Sequence, residues 1–314
     1  MTSEAIRFVN AVVGFCKRTG DWPSPLADLG YVACGVERGL RVLVDGNEQT
    51  VMADLICGSD HVHHALCLEM KSATMHEKQA RGYQALTARS VLQLGGLPPT
   101  IDPFRLTHDV AYLTHRVNVA ALGDQFERAG ITLPILAGDE DRFDLARGTI
   151  GQPEVHDVFA GGIVVDAAAW PRHYVPFKSD SPDGDIVPFV VRALSRFIIL
   201  GQSFTIEQLA EQSVPHWPMC GDGERRAIRE KLSRLANLAM REELKDYYER
   251  PGKPQAWVVN GLPMAQPNQL GRLNRLANSF IERVQKKLPF QPDQLPLGPG
   301  FFGGIDDEEE ADEF

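Results

Sequence analysis

The sequence predicts an α/β protein: a mixed sheet flanked by helices, a smaller helical part after it, and an acidic tail. Three observations carry that expectation. β runs and helical repeats alternate to about residue 177. A helix, a short helix, a longer helix and a hairpin then succeed one another, and the chain ends in a stretch rich in Pro and Gly and then in acids. At 314 residues and 43% hydrophobic, the chain can bury a sizeable core, and usual domain sizes point to two domains rather than one.

The N-terminal "EAIRFVNAVVGFCKRTG" places Ile6, Val9, Val13 and Cys16 at helical spacing. Arg7, Asn10 and the leading acid fit neither a signal peptide nor a membrane span. "LRVLVDGNEQTVMADLIC" reads as two β runs around "DGN", a hairpin signal because Asp-Gly tolerates positive φ, and "HALCLEMKS" is a third run. A helix is expected from Thr74, with Glu77 completing a capping box, through "EKQARGYQALTARSVLQL". "HDVAYLTHR", a helix near "VAALGDQFERAG", "LPILAG" and "GGIVV" extend the α/β pattern, while the acid run "GDEDRFDLARG" reads as a solvated loop.

The turn-rich "FKSDSPDGD" marks a domain boundary, so residues 1–177 form the first domain. Beyond it come "VPFVVRALSRFIIL", "FTIEQLAEQS" capped by Thr205 and Gln208, "GERRAIREKLSRLANLAMREE", and a hairpin around "PGKP". That order over 178–262 is the order of a winged helix-turn-helix. An amphipathic helix is expected within 263–290, with Leu273, Leu276, Phe280 and Val284 on one side, and a disordered acidic tail over 291–314.

Strand geometry locates the chemistry. With a turn at Asp60 to His63, hairpin partners sum to about 123, so Asp54 faces Glu69 and Lys71 shares the face of Glu69. Two carboxylates and an amine then meet on adjacent strands, a setting in which a hard cation finds oxygen ligands. His61 and His63 fall in the turn, about 20 Å from Asp54 at 3.3 Å per residue. A competing reading makes the trio a surface ion-pair cluster, and Asp45 competes as the first acid but sits in the turn "DGN".

Asp54, fourteen intervening residues and Glu69-Met70-Lys71, within an α-β-β-β-α order, resemble the PD-(D/E)XK nuclease superfamily. Gln79-Ala80-Arg81-Gly82-Tyr83 on the following helix resembles the Gln-x-x-x-Tyr motif of its RecB-like and Cas4-like branch, and Ala53 stands where Pro is usual. The resemblance covers roughly residues 1 to 175 and implies a restriction-endonuclease-like sheet. It implies Mg²⁺ or Mn²⁺ on Asp54, Glu69 and the backbone carbonyl of Met70, with Lys71 positioning and helping to deprotonate the attacking water. Gln79 and Tyr83 would share a helix face turned to a substrate phosphate or to the lysine. Relatives often take another acid from the first helix, for which Glu4 and Glu37 are candidates.

Other features keep more than one reading. His61, His63 and His64 with Cys57 and Cys67 suit either a small Cys/His metal site or a polar loop. Arg225, Arg226 and Arg229 near the N-terminus of the longer helix, with Arg250 and Lys253 at the wing, suit DNA contact. The acids of the same segment suit docking of a protein partner. The net charge of −10 disfavours nucleic acid only superficially, because seven acids lie in the last nine residues, "DDEEEADEF". That tail is a solubilising end, a DNA mimic that folds back on the nuclease, or an aromatic-tipped docking peptide ending in Phe314, like the tip of bacterial single-stranded DNA-binding proteins.

Five dispersed cysteines without a Cys-x-x-Cys spacing suit a reducing cytoplasm. The combined expectation is a cytoplasmic, metal-dependent DNA nuclease of prokaryotic DNA repair or antiviral defence. With no helicase motif in the chain, any unwinding would need a partner such as a helicase or ATPase. The alternatives are a non-catalytic winged-helix DNA-binding regulator and a scaffold subunit with an inactive nuclease-like domain.

Overall fold

A computed structural model describes residues 4–18, 20–249, 256–261, 264 and 268–286. The chain divides into two compact units, one built from residues up to 181 together with 210–232, the other from 182–209 together with 233 onward. The first is an α/β unit around a mixed sheet of seven strands. Helix α1 (Glu4–Phe15) and the short α2 (Pro25–Asp28) precede β1 (Tyr31–Val44), β2 (Asn47–Ser59) and β3 (His64–Lys71). Helices α3 (Glu77–Gln84) and α4 (Ala88–Leu94) lead to β4 (Thr107–His115), and α5 (Val119–Ala129) leads to β5 (Ile135–Gly138). β6 (Arg142–Arg147), α6 (Pro153–Gly161) and β7 (Ile163–Val164) complete the sheet.

The strands stand side by side in chain order. β1, β2 and β3 are antiparallel, β4 and β5 run parallel to β3, and β6 and β7 are antiparallel again. Helical connections on one face explain the two parallel joins, since a parallel strand needs a crossover. Asp45 and Gly46 close the first hairpin with φ of 51° and 78°, the left-handed pair that a two-residue turn requires. In the second, Leu55 faces Leu68 and Ser59 faces His64, which leaves Asp60 to His63 as the turn.

Two cores fill the two faces. Leu55, Leu66, Leu68, Leu113 and Phe143 pack with α1, while Ile56, Cys67, Tyr112 and Ile135 pack with α3, α4 and α5 residues such as Tyr83, Val91 and Phe126. Three local expectations are corrected. The helix expected unbroken from Thr74 is two helices, because Thr87 caps the second, its Oγ1 accepting from Ser90 N at 3.3 Å. The N-cap position of α3 is His76, whose side chain makes no cap bond, and not Thr74. The acid run contains strand β6, whose Phe143 is fully buried while Arg116 pairs with Asp139 and Asp144 at its surface.

In the second unit, α7 (Asp183–Leu200) packs with the later α10 (Gln269–Lys286). α10 buries Leu273, Ala277, Phe280 and Val284, so Ala277 takes the place in the stripe expected for Leu276. Helices α8 (Ile206–Ser213) and α9 (Asp222–Arg241) each contribute residues to both units. Thr205 and Gln208 form the expected reciprocal cap of α8. β8 (Tyr248–Glu249) pairs antiparallel with β9 (Val258–Val259). The turn expected between them, with Arg250 and Lys253, and the acidic tail lie outside the described residues. No helix among the described residues is long and apolar enough to cross a membrane.

Candidate functional site

The facing of the first two strands changes part-way along them. Val36 of β1 packs in the α1 core but Leu40 and Val42 pack in the opposite one, and on β2 Ala53 and Leu55 likewise part to opposite cores. Strict alternation would keep each set on one face. The slip falls at Glu37 and Asp54, which the pairings Val36 to Leu55 and Arg38 to Ala53 set beside each other. Glu37 has φ of 50°, a left-handed conformation costing a non-glycine residue about 1 kcal/mol. Such an outlier survives only where its surroundings hold it.

The register of β2 and β3 brings Asp54 beside Glu69, and Met70 N donates to Asp54 Oδ2 at 2.7 Å. Glu69 is buried at 2% exposure, between Leu68 and Met70 of the α1 core, and so faces α3. Lys71 Nζ lies 2.7 Å from Glu69 Oε1, and Gln79 Nε2 donates to the same oxygen at 3.0 Å. The Tyr83 hydroxyl lies 2.5 Å from both Glu69 Oε2 and the Met52 carbonyl oxygen. The hydroxyl donates to both oxygens, a shared bond that ties Glu69 to the backbone of β2. Burial, followed by the charge of Asp54, pushes the Glu69 carboxyl up to about 7. Gln79 and Tyr83 therefore brace the carboxylate.

Sequence reasoning missed Lys178 and left Glu37 undecided. Lys178 Nζ donates to Asp54 Oδ1 at 2.9 Å and pairs with Glu37 Oε1, from a side chain that is itself buried. Burial works against the lysine charge, but the Asp54 and Glu37 carboxylates outweigh it and hold the ammonium protonated. Burial pushes Glu37 up to about 8 despite its partner. The chain after α8 covers this corner: Cys220 bridges to Val36, Gly221 N donates to Val36 O, and Arg38 Nε donates to Met219 O.

The histidines lie elsewhere, on the turn or just beyond it. His64 Nδ1 is 2.6 Å from the Tyr31 hydroxyl and its Nε2 is 3.1 Å from Asp109, while His63 Nδ1 accepts from Asp102 N. Cys57 and Cys67 belong to opposite cores, because Cys57 pairs with Leu66 and Cys67 with Ile56. They do not face each other, which corrects the Cys/His alternative. Glu4 lies in the first turn of α1. In α9, Arg225 Nη2 donates to the carbonyls of Trp217 and Pro218, Arg229 Nε donates to Arg225 O, and Arg226 is exposed.

In chemical kind, the donors suit a hard divalent cation. Asp54, Glu69 and Glu37 offer carboxylate oxygens, and among the described residues the ion pairs at these acids come from two ammonium groups, Lys71 and Lys178. As the side chains stand, no three His, Cys, Asp or Glu residues among those described are gathered as a metal centre. Lys178 holds two of the three carboxylates instead.

The MJECL32 domain model matches residues 4–167, more than half of the chain and the stretch from α1 through β7. No curated protein and no solved structure matches. By that match, the chain belongs to the MJECL32 domain family.

Proposed function

We propose that the protein is a metal-dependent DNA nuclease with a PD-(D/E)XK active site. The observation that carries this reading is the gathering of Asp54, Glu69 and Lys71 at the base of one hairpin, with Gln79 and Tyr83 of the next helix on Glu69. The sheet supports it: three antiparallel strands, a helical crossover and a parallel fourth strand make the order expected of a restriction-endonuclease-like core. Asp54, Glu69 and the Met70 carbonyl would hold Mg²⁺ or Mn²⁺. The bound metal would polarise the phosphodiester and stabilise charge on the attacking and leaving oxygens. Lys71 orients the water, and Tyr83 and Gln79 fix the carboxylate that Lys71 pairs with. Met70 N holds Asp54 by one oxygen.

The elements from α7 through β9 follow the order of a winged helix, which we propose as a contact for DNA or a protein partner. Of its candidate arginines, Arg226 is best placed to meet phosphate, since Arg225 is engaged with carbonyl groups. Prokaryotic DNA repair or defence against foreign DNA, alongside a helicase or ATPase, is the setting proposed. A second reading, a scaffold with an inactive nuclease-like domain, is favoured by the pairing of Asp54 and Glu37 with Lys178. Incubation with circular and linear, single- and double-stranded DNA in Mg²⁺, Mn²⁺ or EDTA separates the two. Products that require the metal support the nuclease, and intact DNA in every lane contradicts it.

A further inference from the structure

We infer that Lys178 is a resident counter-cation that competes with the divalent metal for Asp54 and Glu37, so that the site loads metal only when its ammonium is withdrawn. The inference rests on the nuclease reading and concerns how that site is regulated.

Lys178 is not a neighbour in sequence that falls beside the acids by default. It stands 124 residues from Asp54, yet its Nζ reaches one oxygen of Asp54 and one of Glu37. An ammonium group is buried only where paired charges hold it. These two carboxylates also need it, since each is largely removed from water. A divalent cation asks for the same oxygens and carries charge of the same sign. In poorly hydrated surroundings the two cations cannot both sit against Asp54 without strong repulsion.

The segment that carries the lysine is itself held from α9. Lys178 and Ser181 bond to each other reciprocally, Lys178 N to Ser181 Oγ and Ser181 N to Lys178 O. The segment between them is clasped by the first part of α9. The buried Glu224 accepts from Ser179 N at 2.6 Å and from Ser179 Oγ at 2.5 Å. Lys231 Nζ donates to Ser179 O at 2.7 Å and to Ser181 O. Gly221, just before α9, lies against the carbonyl of Glu37. The α9 side of the site thus grips both the cation and one of its carboxylates, and a shift of α9 relative to the sheet would be felt at the metal position.

The test is Mn²⁺ binding to the full chain by isothermal titration calorimetry, with melting temperatures taken in EDTA and in Mn²⁺. Lys178→Met should bind Mn²⁺ at least about tenfold tighter than the wild type. It should melt lower than wild type in EDTA, where its carboxylates are unpaired, and recover in Mn²⁺. Glu224→Ala, which loosens the clasp without touching a carboxylate of the site, should shift affinity in the same direction by a smaller factor. Clear binding by wild type with equal or weaker binding by Lys178→Met would overturn the inference and leave the nuclease reading standing. If Lys178→Met fails to fold, unchanged affinity in Glu224→Ala overturns it. Absence of Mn²⁺ binding in every variant would remove the nuclease reading and this inference together.

Discussion

Tyr83 and His216 are the residues whose surroundings make the sharpest demands. Tyr83→Phe would leave Glu69 Oε2 and the Met52 carbonyl short of a buried partner, at a cost of about 1–3 kcal/mol measured by denaturant unfolding. An unchanged midpoint would mean that the hydroxyl bridges nothing. His216 is fully buried against Phe177, and among the described residues neither ring nitrogen has a hydrogen-bond partner. Burial, aided by the Lys178 charge, holds its pKa down to about 3. The unfolded chain takes up a proton near 6.5 and the folded chain does not, so its contribution to stability is present above pH 6.5 and is lost as pH falls towards 3. Relative to His216→Leu, the wild type should lose about 2 kcal/mol between neutral pH and pH 5. Parallel stability profiles would show that the ring is accessible to protons. The motif residues were legible as types at a spacing. Lys178 was not, because nothing local to it marks an acid more than a hundred residues away as its partner.

At the scale of elements, the hairpin was readable because one register alone places the apolar residues of both strands and leaves a four-residue turn. Leu55 facing Leu68 is that register. The slip of facing at Glu37 was not readable, since it depends on a positive φ at a residue that rarely adopts one. Helix breaks were hidden for a related reason: Thr87 suits both a helix interior and a cap, and the bond of Ser90 Oγ to the Arg41 carbonyl that ties α4 to β1 is tertiary. The close approach of Gly221 to Glu37 has a measurable consequence. In Gly221→Ala the new Cβ would meet the Glu37 carbonyl oxygen, backbone against backbone, and neither can yield cheaply. Destabilisation of about 1–3 kcal/mol is expected in chemical denaturation. A neutral effect would mean that the cover over β1 is loosely held.

Across the whole molecule, the α/β class and the mixed sheet followed from the alternation of β runs and helices, because seven strands bury two faces that only flanking helices can cover. Which residues cluster with the sheet was harder to see. Composition shifts near residue 177, yet residues 178–181 and 210–232 group with the sheet unit, through contacts such as Cys220 to Val36 and Lys178 to Asp54. Such contacts leave no periodic trace in sequence. The site is consequently assembled from the hairpin, from α3 and from a later cover, and chemistry should fail when the hairpin acids fail, whatever the cover does. The most direct measurement is a time course on covalently closed and linear DNA in Mn²⁺, comparing wild type with Asp54→Ala and Lys71→Ala of matched fold by circular dichroism. Metal-dependent products are expected from the wild type and none from either variant. Equal cleavage by wild type and Asp54→Ala would contradict the nuclease reading.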